Sequence, residues 1–315
     1  MAERRKVSVV GAGSVGATVA YASLIRGAAK TMALYDIDRE KVRAEVLDLN
    51  HGSQFYPTAN VIGSDEIAVT ADSDIVVITA GAKQKPGQTR LELAAVNVAM
   101  CRSLVPELLA LSPEAILLLV TNPVDVVTYA AVQASGLSSR RVFGSGTVLD
   151  SSRLRTLLAQ HCDVAVHSVN AFIVGEHGDS QVPAWSQAAI GGVPVRDWSP
   201  PGRAQLDEQT LDRIAHEVIT AAEQIIRGKG ATNYAVGLSA AGIVEAVLDD
   251  QRSVMPVSSL LTGQYGIDDV CLSLPSIVDD KGVDVILTPP LSKDETDALR
   301  RSADTVRGVE RSLGI

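Results

Sequence analysis

Apolar residues fall into two rhythms along the chain. In the first half, four short runs are continuous rather than alternating: KVSVV (6–10), TMALYD (31–36), DIVVITA (74–80) and AILLLV (115–120). Such runs predict strands covered on both faces. Between them the apolar spacing lengthens to the helical period, for instance over 14–26 and 38–49. Strand–helix alternation predicts a parallel sheet with helices on both sides. After about residue 144 the rhythm changes. Residues 150–161 predict a helix, and SVNAFIVGEHGDS (168–180) a strand running into a glycine-flanked loop. Ser199-Pro200-Pro201-Gly202 is turn chemistry. Leu211, Ile214, Val218, Ala221 and Ile225 line one face of a long helix stopped by Gly228 and Gly230. Residues 253–289 read as short strands and turns. Ser292 and Glu295 have capping-box spacing at the head of a final helix. The pattern implies an α/β chain: a doubly wound parallel sheet over 1–144, then an α+β domain over 145–315.

Composition removes several classes. The net charge is −9, from 28 Lys+Arg against 37 Asp+Glu, with no basic run, so no nucleic-acid footprint is present. Cys101, Cys162 and Cys271 are odd in number and scattered. They form no disulfide framework or zinc site, and no other metal is expected. Inert thiols suit a reducing cytoplasm. MAERRK precedes 19 uncharged residues (7–25), which mimics a signal peptide. No other segment reads as long and apolar enough to span a bilayer, so no membrane partner is expected.

The glycines explain that uncharged run. GAGSVG (11–16) follows a predicted strand and opens a predicted helix. Gly11 permits the tight turn, Gly13 the approach of a pyrophosphate, and Gly16 close helix–strand packing. Asp36 ends the next strand, 20 residues after Gly16. A carboxylate there accepts both ribose hydroxyls and repels a 2′-phosphate, which selects NAD over NADP. The apolar stretch is therefore a buried strand and its helix, in a Rossmann-type domain.

His177, in GEHGD (175–179), titrates near neutrality and suits proton transfer if a partner holds its tautomer. Asp150 and Arg153 share one side of a predicted helix. An Asp behind the His and an Arg beside it would make a site for an anionic substrate. The spacing serves an exposed ion pair equally well. His51, His161, His167 and His216 carry no such context.

Together these stretches resemble the L-lactate dehydrogenases of the lactate/malate dehydrogenase superfamily. The resemblance runs through GAGSVG, LYD (34–36), DLNHG (48–52), AGAKQKPGQTRLEL (80–93), VTNPVD (120–125), GSGTVLDSSRLR (144–155), GEHGDS, ATNYAVG (231–237) and LSLPSIV (272–278). It implies NAD-dependent reduction of pyruvate, with His177 as acid/base, Asp150 as its orienting partner, and Arg153 gripping the substrate carboxylate. Arg90 is implied to polarise the carbonyl from a lid bending at Pro86-Gly87. Asn122 and Thr232 are implied to contact substrate. Val15, Ala80, Gly81, Asn122, Ser145 and Val236 are implied to contact the cofactor. Malate dehydrogenases of the superfamily usually carry arginine at the position of Gln84. A neutral residue there leaves a second carboxylate unpaired, which costs roughly several kcal/mol, so pyruvate is expected over oxaloacetate despite neighbouring Lys85. Many bacterial relatives bind fructose 1,6-bisphosphate with an arginine and a histidine. Arg155 matches the first, but Asn170 stands at the second, so activation is expected to be reduced or absent. Gln88 stands where relatives often carry Glu. The resemblance also implies a homotetramer. Alternatives are a malate or other 2-hydroxy-acid dehydrogenase, or a catalytically silent NAD-binding protein.

Overall fold

The computed structural model describes residues 5–82 and 89–315. The bend at Pro86-Gly87, and Gln84, Lys85 and Gln88, lie outside the described residues. Six parallel strands form the centre: β1 (Lys6–Val10), β2 (Thr31–Tyr35), β3 (Asn60–Ser64), β4 (Ile75–Ile78), β5 (Ile116–Leu119) and β6 (Val142–Gly144). Their spatial order is β3-β2-β1-β4-β5-β6, a doubly wound sheet whose order reverses between β1 and β4. The covering helices in this half are α1 (Ser14–Arg26), α2 (Arg39–His51), α3 (Arg90–Leu111) and α4 (Val124–Ser135).

The continuous apolar runs work as two-sided strands. Val76, Ile78, Leu117 and Leu119 pack into one core with Val98, Cys101, Val105 and Leu108 of α3. Ile75, Val77, Ile116 and Leu118 point the other way, into a core with Val19, Ala20 and Leu24 of α1. Each strand alternates its side chains between two helical layers, so neither face needs polar residues.

The second half departs from its expected pattern. Residues 253–289 are not short strands. Ser253–Thr262 and Asp268–Asp279 form a long antiparallel hairpin, followed by Gly282–Ile286, and the three extend the central sheet to nine strands beside β6. Ser258, Ser259, Ser273 and Ser276 are buried there. Their small hydroxyls interrupt the apolar pattern that would otherwise mark long strands. The remaining helices are α5 (Val148–Cys162), α6 (Glu208–Lys229), α7 (Tyr234–Leu248) and α8 (Lys293–Leu313). α6 runs through Gly228 and stops at Gly230, which takes the left-handed conformation. The expected capping box of Ser292 and Glu295 opens α8. α5 and α6 close a third core around Leu154, Leu158, Leu211 and Ile214.

Among the described residues one helix, α3, meets the length and composition of a membrane span, contrary to expectation. Its apolar character has another cause, because Val98, Cys101, Val105 and Leu108 pack on the sheet. Cys101, Cys162 and Cys271 are all buried and free. Burial pushes the Cys101 thiol up to about 12, which makes it a poor nucleophile.

Candidate active site

The cleft lies where the β1–α1, β4 and β5 loops leave the sheet at its reversal point. Gly11 has φ +98°, and a Cβ there would stand 2.6 Å from the Ala80 nitrogen. A Cβ on Gly16 would lie 1.9 Å from the Gly11 carbonyl oxygen. Both glycines are thus needed by the protein itself. Gly13 is different. Its φ and ψ are −71° and 179°, open to any residue, and a Cβ would meet only Lys41 Nζ at 3.8 Å. Apart from that lysine tip the space over Gly13 at the head of α1 is open, and no side chain caps that helix. Free N–H groups beside open space suit a pyrophosphate. Asp36 Oδ2 accepts from the Ala12 N–H at 2.7 Å, and Oδ1 from Asp38 N–H at 3.1 Å, which holds the carboxylate at the cleft. These residues fit NAD.

The floor of the cleft is stitched by polar groups. Thr121 Oγ1 donates to the Ala80 carbonyl at 2.6 Å. Asn97, buried on α3, accepts from Ala82 N–H and donates to the Asn122 carbonyl, both at 2.8 Å. Gly81 packs between Thr121 and Asn97. Val15 and Val236 pack against the α1 side of the core, and Ser145 N–H donates to Leu119 at the end of β5.

His177 sits beyond the short strand Ile173–Val174. Its Nδ1 lies 2.5 Å from Asp150 Oδ2, while Asp150 Oδ1 accepts from Arg153 at 2.7 Å. An ionised carboxylate only accepts, so Nδ1 carries the proton and Nε2 remains for a reacting partner. The Asp150 side chain is only 3 % exposed, against 26 % for His177. The Asp150–Arg153 pair is therefore not an exposed surface ion pair. Burial opposes ionisation of Asp150, but His177 and Arg153 outweigh it and hold the carboxyl below its ordinary value. Burial likewise disfavours the imidazolium, but the charge and hydrogen bond of Asp150 outweigh it and raise His177 above the usual histidine value.

Distant residues bring this pair together. Thr147 Oγ1 donates to the Ile173 carbonyl at 2.6 Å, and Ser151 Oγ accepts from Ile173 N–H at 2.8 Å. They flank Asp150 on α5 and clamp it to the strand leading to His177. Asp125 Oδ2 accepts from the His177 backbone N–H at 2.7 Å, and Oδ1 from Ser258 Oγ at 2.5 Å. Burial pushes the Asp125 carboxyl up to about 6 despite those bonds. Ser302 Oγ accepts from Glu176 N–H at 2.9 Å. Sequence reasoning missed Asn97, Asp125, Ser151, Ser258 and Ser302. Asp125 and Asn97 stand in or near recognisable motifs, but their partners are remote.

Other expected residues are not drawn into the dyad. Arg90, first residue of α3, donates to Asp179 at 2.7 Å on the surface, with the two side chains 81 % and 71 % exposed. Thr232 is half-buried in the turn before α7. No hydrogen bond joins it to His177 among the described residues. Arg155 turns away from Arg153: its Nε donates to the Ala171 carbonyl at 2.8 Å and its guanidinium covers the Phe172 ring. Asn170 and Phe172 line a cavity of about 340 Å³ with Gln187, Pro275 and Leu287.

Residues 5–144 match the lactate/malate dehydrogenase NAD binding domain, and residues 147–309 its alpha/beta C-terminal domain. The chain is 51 % identical over 310 residues to an L-lactate dehydrogenase of Bifidobacterium animalis subsp. lactis, covering 98 % of this chain and 97 % of that one. It is 44 % identical over 310 residues to an L-lactate dehydrogenase of Thermoanaerobacter sp. strain X514, covering 98 % and 99 %. Among solved structures, the minor L-lactate dehydrogenase of Enterococcus mundtii superposes with a TM-score of 0.94 at 38 % identity, covering 98 % of both chains.

Proposed function

The chain belongs to the lactate/malate dehydrogenase family, and on that premise we propose that it is an NAD-dependent L-lactate dehydrogenase that interconverts pyruvate and L-lactate. One observation carries the reading: a single buried carboxylate, Asp150, is bonded at once to His177 and to Arg153. That contact supports reading His177 as the acid/base and Arg153 as the anchor for the carboxylate of a 2-oxo acid.

NAD, when bound, supplies the hydride donor or acceptor. The protein does the rest. Gly13 and the free head of α1 receive the pyrophosphate, Asp36 the ribose hydroxyls, and Ala80, Gly81, Asn122, Ser145, Val15 and Val236 line the nicotinamide end. Arg153 binds the substrate carboxylate through a planar two-pronged contact. His177 gives its Nε2 proton to the ketone oxygen in reduction and recovers it in oxidation. Asp150 holds the tautomer and offsets the imidazolium charge. Arg90 leaves Asp179 and stabilises the developing negative charge on that oxygen. Asn122 and Thr232 complete the substrate pocket, and neutral Gln84 favours a methyl over a second carboxylate. Residues 1–144 serve as the cofactor domain and 145–315 as the catalytic one.

The enzyme works in the cytoplasm as a homotetramer. Exposed Tyr21, Ile25, Leu47 and Leu238 on α1, α2 and α7 support self-association. Sedimentation tests the oligomeric state. Parallel assays of NADH oxidation with pyruvate and with oxaloacetate test the activity. A large preference for pyruvate is expected. Preference for oxaloacetate would overturn the lactate assignment, and turnover of neither would favour a silent NAD-binding protein.

A further inference from the structure

Asn97 is buried in the first half of α3, with 2 % of its surface exposed. Both ends of its amide are used. Oδ1 accepts from Ala82 N–H and Nδ2 donates to the Asn122 carbonyl, each at 2.8 Å. These two backbone groups belong to loops leaving β4 and β5, past Ile78 and Leu119, where the sheet ladder has ended. Without Asn97 the Ala82 N–H and the Asn122 C=O, on residues that are themselves exposed, would lose the one side chain that joins them. Only an amide side chain presents a fixed acceptor and donor on one short planar group. Aspartate could meet only the N–H, and leucine neither.

The same helix begins with Arg90, seven residues and about two turns earlier. A capping box fixes that first turn: Thr89 Oγ1 accepts from Glu92 N–H at 3.1 Å, and Glu92 Oε2 accepts from Thr89 N–H at 2.8 Å. The capping box thus closes the head of α3, and Asn97 ties its body to the two cleft loops. Ala82, Asn122 and Arg90 are referred to one another through this amide.

Taking the proposed reduction as the reaction, we infer that Asn97 is a positioning residue, which sets the Asn122 backbone and the Ala82 stem against α3 so that the nicotinamide end of the cleft and Arg90 keep a common frame.

The test is Asn97→Asp, with Asn97→Ser as a second variant should the first not fold. NADH affinity is measured by fluorescence titration and pyruvate reduction by steady-state kinetics, from pH 5 to pH 8, each as a ratio to wild type, with thermal melting alongside. In the Asn97→Asp variant the ionised carboxylate faces the Asn122 carbonyl without a donor, whereas its protonated form restores one. At pH 8 NADH affinity and kcat/KM are expected to fall roughly tenfold or more, and to recover toward wild type as pH falls. Asn97→Ser loses both without recovery. An effect of less than twofold at pH 8 in whichever variant folds, or a loss that follows the melting temperature alone with no pH-dependent recovery in Asn97→Asp, would overturn the inference. If wild type binds NADH but does not reduce pyruvate, the substrate assignment fails. The affinity ratios then decide the role of Asn97 independently.

Discussion

Arg90 and Asp179 form a 2.7 Å ion pair at the rim of the cleft, with Asp179 only two residues beyond His177. The arginine assigned to the transition state is held by a carboxylate next to the acid/base. Both side chains are largely exposed, so the pair contributes about 0–1 kcal/mol to stability. Asp179→Asn should leave the melting temperature unchanged and alter kcat/KM for pyruvate only a few-fold (roughly the same small energy). Arg90→Gln should also melt like wild type but lose about 10²–10³-fold in kcat, because it removes a charge-stabilising donor. Steady-state kinetics beside thermal melting separates these outcomes. A kcat loss in Asp179→Asn matching that of Arg90→Gln would contradict this account.

With His177 as the proposed acid/base, its raised pKa should set the pH limits of each direction. Pyruvate reduction needs the imidazolium, so it is full below the His177 pKa and declines as pH rises through it. Lactate oxidation has the opposite limb. Asp150→Asn removes the charge that raises this pKa, so the reduction limb should move to lower pH, with kcat reduced. For stability, a raised histidine contributes below its unfolded pKa of about 6.5, and that contribution is lost as pH rises through the folded pKa. The depressed Asp150 contributes above its unfolded pKa, and that is lost as pH falls through the folded value. Profiles of kcat/KM for the variant check the shift, and an unmoved limb would exclude Asp150 as its cause.

Two glycines of one motif should fail differently. A Cβ at position 13 meets only Lys41 Nζ at 3.8 Å, whereas one at position 16 lies 1.9 Å from the Gly11 carbonyl oxygen. Gly13→Ala should fold and melt normally but bind NADH at least about tenfold more weakly, the loss expected when the backbone no longer admits the pyrophosphate. Gly16→Ala should be strongly destabilised. Calorimetric titration and melting curves distinguish the two, and tight NADH binding by Gly13→Ala would refute the placement of the pyrophosphate.

Glu310, in the last turns of α8, is buried, and its Oε1 has no hydrogen-bond partner among the described residues. Burial, aided by nearby Asp269, pushes its carboxyl from 4.5 up to about 7. A carboxyl whose folded pKa exceeds its unfolded one destabilises progressively as pH rises between the two values. Glu310→Gln should therefore flatten the pH dependence of stability between 4.5 and 7 and stabilise the protein at pH 8 by up to roughly 3 kcal/mol. Urea unfolding as a function of pH measures this. Equal slopes in both proteins would show that Glu310 is paired in solution.

Fructose 1,6-bisphosphate should activate weakly or not at all. Arg155 is committed to the Ala171 carbonyl and the Phe172 ring, and Asn170 brings no charge. A dose–response curve at neutral pH decides the matter, and strong activation would mean that Arg155 is released to bind phosphate.

The local chemistry of this protein is legible in its sequence. Continuous apolar runs announce two-sided strands, because a strand covered on both faces has no polar side to show. The GAGSVG loop, Asp36, and the Asp150–Arg153 spacing are short-range patterns, readable because turn geometry and helical period act over a few residues. The tertiary structure decided what depends on remote partners. Asp125 holds His177 across 52 positions and Ser258 holds Asp125 across 133. Asn97 joins two loops that meet only when β4 and β5 lie side by side. The long hairpin was masked by its buried serines, and folding supplies partners for the hydroxyls of Ser258, Ser273 and Ser276. Arg90's resting contact with Asp179 spans 89 positions. A hydrogen bond needs its two groups within about 3 Å, and for residues this far apart in sequence only the packed fold brings them that close.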